Sequence, residues 1–151
     1  MAPLIVLAVM TVGARVVGVL GVGYVATWPA ALAVGLAAMF LLTASSHFTR
    51  PRRDGLIAIV PPRLPHPSVL VTVTGVLELI GAVGLLVPPT VIVWPRPAAA
   101  VCLAVLMLIM FPANVYAAGE RRHPAAPTTP LPLRAALQVI FVAAAILVAL
   151  G

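Results

Sequence analysis

The sequence predicts an all-α integral membrane protein, a bundle of transmembrane helices with almost no water-soluble part. Three observations carry this. Of the 151 residues, 63% are hydrophobic and 8% charged, with a mean hydropathy of +1.20; soluble domains carry roughly 25% charged residues. Too few polar side chains remain to coat a globule of this size, whereas a surface facing lipid needs none. Five runs come near the ~20 apolar residues that cross a bilayer, and strong helix breakers separate them. At this length the chain makes one domain.

The runs are Pro3 to Ala26, Ala30 to Phe48, Ser68 to Val87, Pro97 to Tyr116 and Leu131 to Leu150. The first lacks the basic flank and small-residue cleavage site of a signal peptide and is long enough to span, so it is expected to remain as a helix. Thr27-Trp28-Pro29 breaks it from the second, with Trp28 suited to the interfacial belt. Pro88-Pro89 ends the third helix, Trp94-Pro95-Arg96-Pro97 opens the fourth, and the prolines between His123 and Pro132 preclude a continuous helix there. Within the 49–67 loop, the apolar stretch Gly55 to Val60 is too short to span. It reads either as a piece lying on the headgroups or as a lid over a cavity.

All nine basic residues are arginine, and apart from Arg15 they lie in or beside the loops. With five spans, Arg50, Arg52, Arg53, Arg63, Arg121, Arg122 and Arg134 fall on one side and Arg96 on the other. The positive-inside rule then puts the N-terminus in the cytoplasm and the C-terminus outside, in a multi-pass protein of the cell (inner) membrane. This distribution accounts for the net charge of +6 without a nucleic-acid partner. The single cysteine, Cys102, sits in an apolar run and reads as a small buried hydrophobe, with no second thiol for exchange. No metal site is expected, because His47, His66 and His123 lack short-spaced companion ligands. Nothing in the sequence requires a cofactor.

Ionisable groups inside a span cost several kcal/mol unless they are paired or face water, so they are candidates for function. Arg15 lies twelve residues into the first run and Glu78 ten into the third, about 18 and 15 Å at 1.5 Å per residue. A structural Arg15–Glu78 ion pair is the simplest way to make both tolerable. Helical spacing groups Val71, Thr74, Gly75, Gly81, Ala82 and Leu85 beside Glu78, a small, polar stripe suited to helix packing. Ala8, Thr11, Gly18 and Val22 flank Arg15 in the same way. Nearer the arginine-rich side, His47 closes the second helix and Asn114 follows Pro112. Arg134 and Gln138 share a face of the fifth helix. His47, Thr74, Glu78, Asn114, Arg134 and Gln138 are the candidate ligand-binding residues, and Glu78 and His47 the catalytic candidates. Each also has a plainer reading: a staple for Glu78, an interfacial residue for His47, snorkelling for Arg134, and for Asn114 a cap on carbonyls freed by the Pro112 kink.

Ser46-His47-Phe48, Ile59-Val60-Pro61-Pro62-Arg63-Leu64-Pro65, the block from Thr74 to Leu86 around Glu78, Phe111-Pro112-Ala113-Asn114-Val115, and Pro132-Leu133-Arg134 with Gln138 together resemble the DoxX-like family of small integral membrane proteins. Five separated blocks agree in the family's order across residues 30–150. The resemblance implies a DoxX-like four-helix membrane domain over residues 30–150, with residues 1–28 as an additional N-terminal transmembrane helix. For some members it also implies association with quinone-linked or oxidative-stress redox systems. This chain departs from the family in its first 28 residues, which carry Arg15, and in having no paired cysteines.

The leading expectation is an auxiliary membrane subunit, or a binder of a lipophilic small molecule of quinone or terpenoid type, linked to membrane redox metabolism. Glu78 and Asn114 in an apolar wall suit a ligand with one or two polar heads. The alternative is an intramembrane enzyme using Glu78 and His47 for acid–base chemistry on a lipophilic substrate. A transporter ranks below both, because a small unrepeated bundle lacks the usual inverted halves. The expected partners are the bilayer, such a ligand, and either further copies of the chain or a larger membrane complex.

Overall fold

The computed structural model describes residues 1–151 and is all-helical, with no strand. Six α-helices follow in order: α1 (Ala2–Val19), α2 (Trp28–Phe48), α3 (Arg52–Ala58), α4 (Pro67–Leu86), α5 (Pro95–Gly119) and α6 (Leu131–Leu150). All except α3 are long and apolar enough to cross a membrane. Proline sits at the first or second position of each of the five, where a missing amide hydrogen costs nothing. Thr27 also caps α2, its hydroxyl accepting from the Ala30 amide at 3.4 Å.

Helices α2, α4, α5 and α6 form a closed ring of neighbours, α2 on α4, α4 on α5, α5 on α6 and α6 on α2, while α1 packs chiefly along α2. One core joins them, built around Leu36, Met39, Leu85, Leu103 and Val148. Small residues set the spacing. A side chain at Gly81 would collide with Leu103 of α5, one at Gly84 with Ala99, and one at Gly35 with the backbone of α1 at Leu7. The outward faces carry Ile5, Val9, Ile80, Val83, Ile109, Val139 and Leu147, all exposed. An apolar exterior on α1, α4, α5 and α6, around a more deeply buried α2, belongs to a protein dissolved in lipid.

The first span is shorter than its sequence suggests. Helix α1 stops at Val19, and a turn through Gly21 (φ 109°) and a single 3₁₀ turn at Gly23–Val25 leads to α2. Only glycine takes such a φ without strain, and Gly18 lets the Val25 backbone fold against the helix end. Arg15 is therefore one turn from the end of α1 and not near its middle.

The 49–67 loop is built into the fold. Its helix α3 packs on α2 and α4, and Leu56 and Ile59 join Ala117 and Ala126 in a small second core. Gly55 is pressed against the backbone at Ala125. Together α3 and the 120–130 segment close the arginine-rich end of the bundle.

Candidate functional site

Glu78 projects from the middle of α4 and is 3% exposed. Its neighbours in sequence explain its setting, because the face with Val71, Gly75, Gly81, Ala82 and Leu85 is the buried one. The carboxylate accepts from the Thr43 hydroxyl of α2 at 2.8 Å on one oxygen, and the other lies 3.6 Å from His47 Nε2. His47 is buried and its Nδ1 is 2.8 Å from the Val71 carbonyl. A carbonyl only accepts, so Nδ1 carries the hydrogen and Nε2 is left facing Glu78. At 3.6 Å the contact is within ion-pairing range whenever the imidazole carries both protons. Thr74 stands behind this pair, 3.2 Å from Nδ1, its hydroxyl donating to the Leu70 carbonyl at 2.9 Å.

Gly75 makes this arrangement possible. A β-carbon there would stand 2.5 Å from His47 Cβ and 2.9 Å from its Cγ, so any larger residue pushes the ring off its place. Arg53 of α3 adds a clamp, donating to the His47 carbonyl, to Thr72 Oγ1 at 2.9 Å and to the Ser68 carbonyl at 3.2 Å. It ties the end of α2 to the start of α4, and so fixes where His47 can reach.

A second polar group lies on α5 and α6. Arg134, 7% exposed, donates to Asn114 Oδ1 at 3.2 Å and to the carbonyls of Thr129 and Pro127. No acidic side chain comes within 4.0 Å of it. One turn further along α6, Gln138 donates to the Met107 carbonyl of α5 at 2.6 Å. That carbonyl neighbours the position where Pro112, lacking an amide hydrogen, leaves its i−4 acceptor free. Gln138 therefore meets the stretch of α5 that precedes Pro112, while Asn114 serves Arg134.

Between the two groups is a cavity of about 220 Å³ lined by Thr43, Glu78, Asn114, Arg134 and Gln138 with an apolar wall that includes Met39, Phe40, Met107, Leu137 and Phe141. Pro3 at the start of α1 lies at its edge. The structure thus brings four of the sequence candidates, Glu78, Asn114, Arg134 and Gln138, to one cavity. His47 and Thr74 form the layer behind Glu78.

The Arg15–Glu78 pair is not formed. Glu78 is engaged by Thr43 and His47, and Arg15 lies over the Trp28 ring with 5.5 Å to its centroid. The early end of α1 is the cause, since it places Arg15 level with the start of α2 and Glu78 half a helix away. Two residues escaped sequence reasoning. Thr43 carried a usable signal, being four residues before His47 and hence on its face. Arg53 carried none among so many loop arginines. Cys102 is also placed differently, on the exposed face of α5 and not in the core.

The chain belongs to the family described as a domain of unknown function, DUF8561, which matches residues 36–149. The match begins within α2 and takes in every cavity-lining polar residue named above. Neither a curated protein nor a solved structure matches the chain.

Proposed function

We propose that this protein is a membrane binder of a lipophilic small molecule with polar groups at two positions, of quinone or terpenoid type, serving membrane redox metabolism alone or as an auxiliary subunit. The observation that carries the reading is the separation of charge across the cavity. Arg134 is a buried guanidinium with only neutral partners, and Glu78 faces the same apolar space with His47 behind it. A ligand oxygen that accepts from Arg134, and a second group that exchanges a proton with Glu78, would complete both ends. The volume suits a ring-sized head whose apolar tail leaves between the helices into lipid. The resemblance of the five sequence blocks to the DoxX-like proteins points to the same reading. The arginine count supports an orientation with the N-terminus and the α3 end cytoplasmic, in the cell membrane.

The His47–Glu78 contact favours a second reading, an acid–base enzyme acting on a lipophilic substrate. One set of variants separates the two. Binding of a short-chain benzoquinone to the purified protein is measured for Glu78→Gln and Arg134→Gln. Loss of a charge-assisted hydrogen bond, about 1.5–3 kcal/mol, is expected to weaken binding about tenfold or more in each. Unchanged affinity in both removes this cavity as the site. If Glu78→Gln keeps full occupancy yet abolishes conversion of a co-purified lipophilic molecule, identified by mass spectrometry, the enzyme reading replaces the binder.

A further inference from the structure

The end of the bundle away from the arginine-rich loops contains a second and larger cavity, about 560 Å³, bordered by the α1–α2 turn, the 88–97 segment and the end of α6. Arg96 lines it and is 7% exposed. Its Nε donates to the Leu85 carbonyl at 3.0 Å, while its Nη2 is buried with no hydrogen-bond partner at all. The Tyr24 ring lies beside the guanidinium, 5.4 Å from its centroid, and is held there by a hydrogen bond from its hydroxyl to the Leu86 carbonyl.

No acidic side chain of this protein can neutralise Arg96. The chain has three acidic residues. Asp54 lies 3.5 Å from Arg50 and Glu120 3.6 Å from Arg122, both at the opposite end, and Glu78 faces His47 in the middle. Arg15, the other arginine at this end, also has a buried Nε without a partner, and neither guanidinium forms an ion pair within 4.0 Å, with Gly151 at the cavity's edge included. An aromatic face attracts a guanidinium less strongly than an anion does. A buried cation that retains one hydrogen bond is therefore waiting for a counterion from outside the chain.

We propose that this cavity binds a phosphate-type anion, with Arg96 as its ionic partner and Tyr24 fixing the guanidinium's plane. The planar fork of arginine matches two oxygens of one phosphate. The cavity lies at the end of the spans, where lipid phosphates sit, and its volume falls within the range of small-molecule sites. It therefore has room for the rest of a headgroup, polar against Thr27 and Thr90 and apolar against Val93 and Pro29.

The test uses the full-length protein in an uncharged detergent and phosphate-free buffer, with the thermal unfolding midpoint as readout. Four additions are compared: phosphatidylglycerol, diacylglycerol with the same acyl chains, inorganic phosphate, and sodium chloride at matched ionic strength. A rise with phosphatidylglycerol beyond that with diacylglycerol identifies a lipid phosphate. An equal rise with inorganic phosphate identifies a free anion as sufficient. In Arg96→Gln the apparent affinity of whichever probe acts is expected to fall about tenfold, with part retained in Arg96→Lys. The proposal is overturned if neither phosphate source exceeds chloride, if diacylglycerol matches phosphatidylglycerol, or if Arg96→Gln responds as the unaltered protein does. The comparison of additions needs no variant, so it decides the matter even where Arg96→Gln fails to fold.

Discussion

Coupling between Glu78 and its neighbours can be measured directly, and the structure fixes the partner. At 3.6 Å, a charged His47–Glu78 pair has a gross attraction of about 4–5 kcal/mol at an effective dielectric of 20. Desolvation of both groups offsets most of that. The coupling left in a double-mutant cycle should then be about 1–3 kcal/mol. Glu78→Gln keeps the shape and the hydrogen bond from Thr43 while removing the charge. His47→Asn places an amide where Nδ1 donates to Val71 and removes the nitrogen that faces Glu78. Equilibrium unfolding in mixed micelles, followed by circular dichroism for the two single variants and the double, yields the coupling. A parallel cycle of Arg15→Gln with Glu78→Gln should be additive to within about 0.5 kcal/mol, because the two side chains share no partner. Coupling of Glu78 to Arg15 but not to His47 would refute the assignment and restore the ion pair expected from sequence alone.

Two further outcomes follow from the packing. Gly75→Ala puts a methyl group 2.5 Å from His47 Cβ, so α2 and α4 must separate locally at a cost of about 1–3 kcal/mol. Its unfolding midpoint should fall, and the cycle above, repeated in that background, should lose most of its coupling. Cys102 faces outward seven residues into α5, about 10 Å from the helix start, where hydrocarbon holds it as an unreactive thiol. A charged maleimide should label it about tenfold more slowly in intact vesicles than in sodium dodecyl sulfate, and equal rates would mean that this face of α5 meets water.

The sequence was most legible where two periodicities agreed. The stripe around Glu78 was readable because glycine and alanine mark the packing face of a membrane helix while larger aliphatic residues face lipid. That contrast placed Gly75, Gly81 and Ala82 inside correctly. The four cavity residues Glu78, Asn114, Arg134 and Gln138 were readable because polar groups are rare in apolar spans and each therefore stands out. The position of Arg15 is not legible in the sequence, because the end of α1 is set by the positive φ of Gly21 and by the Val25 backbone folding onto Gly18, neither of which interrupts the apolar run. The outward placement of Cys102 is not legible either, because lipid-facing and core-facing positions of α5 are both apolar and hydropathy alone cannot rank them. The role of Thr43 is masked for a third reason: a hydroxyl in a helix commonly bonds its own backbone, and Thr43 also lies 3.1 Å from the Phe40 carbonyl.

The pairing of charges separates a staple from a site. A staple is most stable when a carboxylate meets a guanidinium directly, and this bundle holds both in the wall of one cavity, Glu78 and Arg134. Yet Glu78 pairs with an imidazole, whose own charge depends on its proton, and Arg134 rests on neutral oxygens across an apolar gap. Direct contact between the two would close the cavity and remove the cost of two buried groups at once. Their separation forgoes that stabilisation, which is intelligible if another molecule's polar ends complete them. The same reasoning applies to Arg96 at the opposite end, where the chain supplies an aromatic face but no acid. Nine arginines against three acids leave each cavity with a guanidinium that no acidic side chain pairs, and the ligands proposed above would bring the missing acceptor or anion.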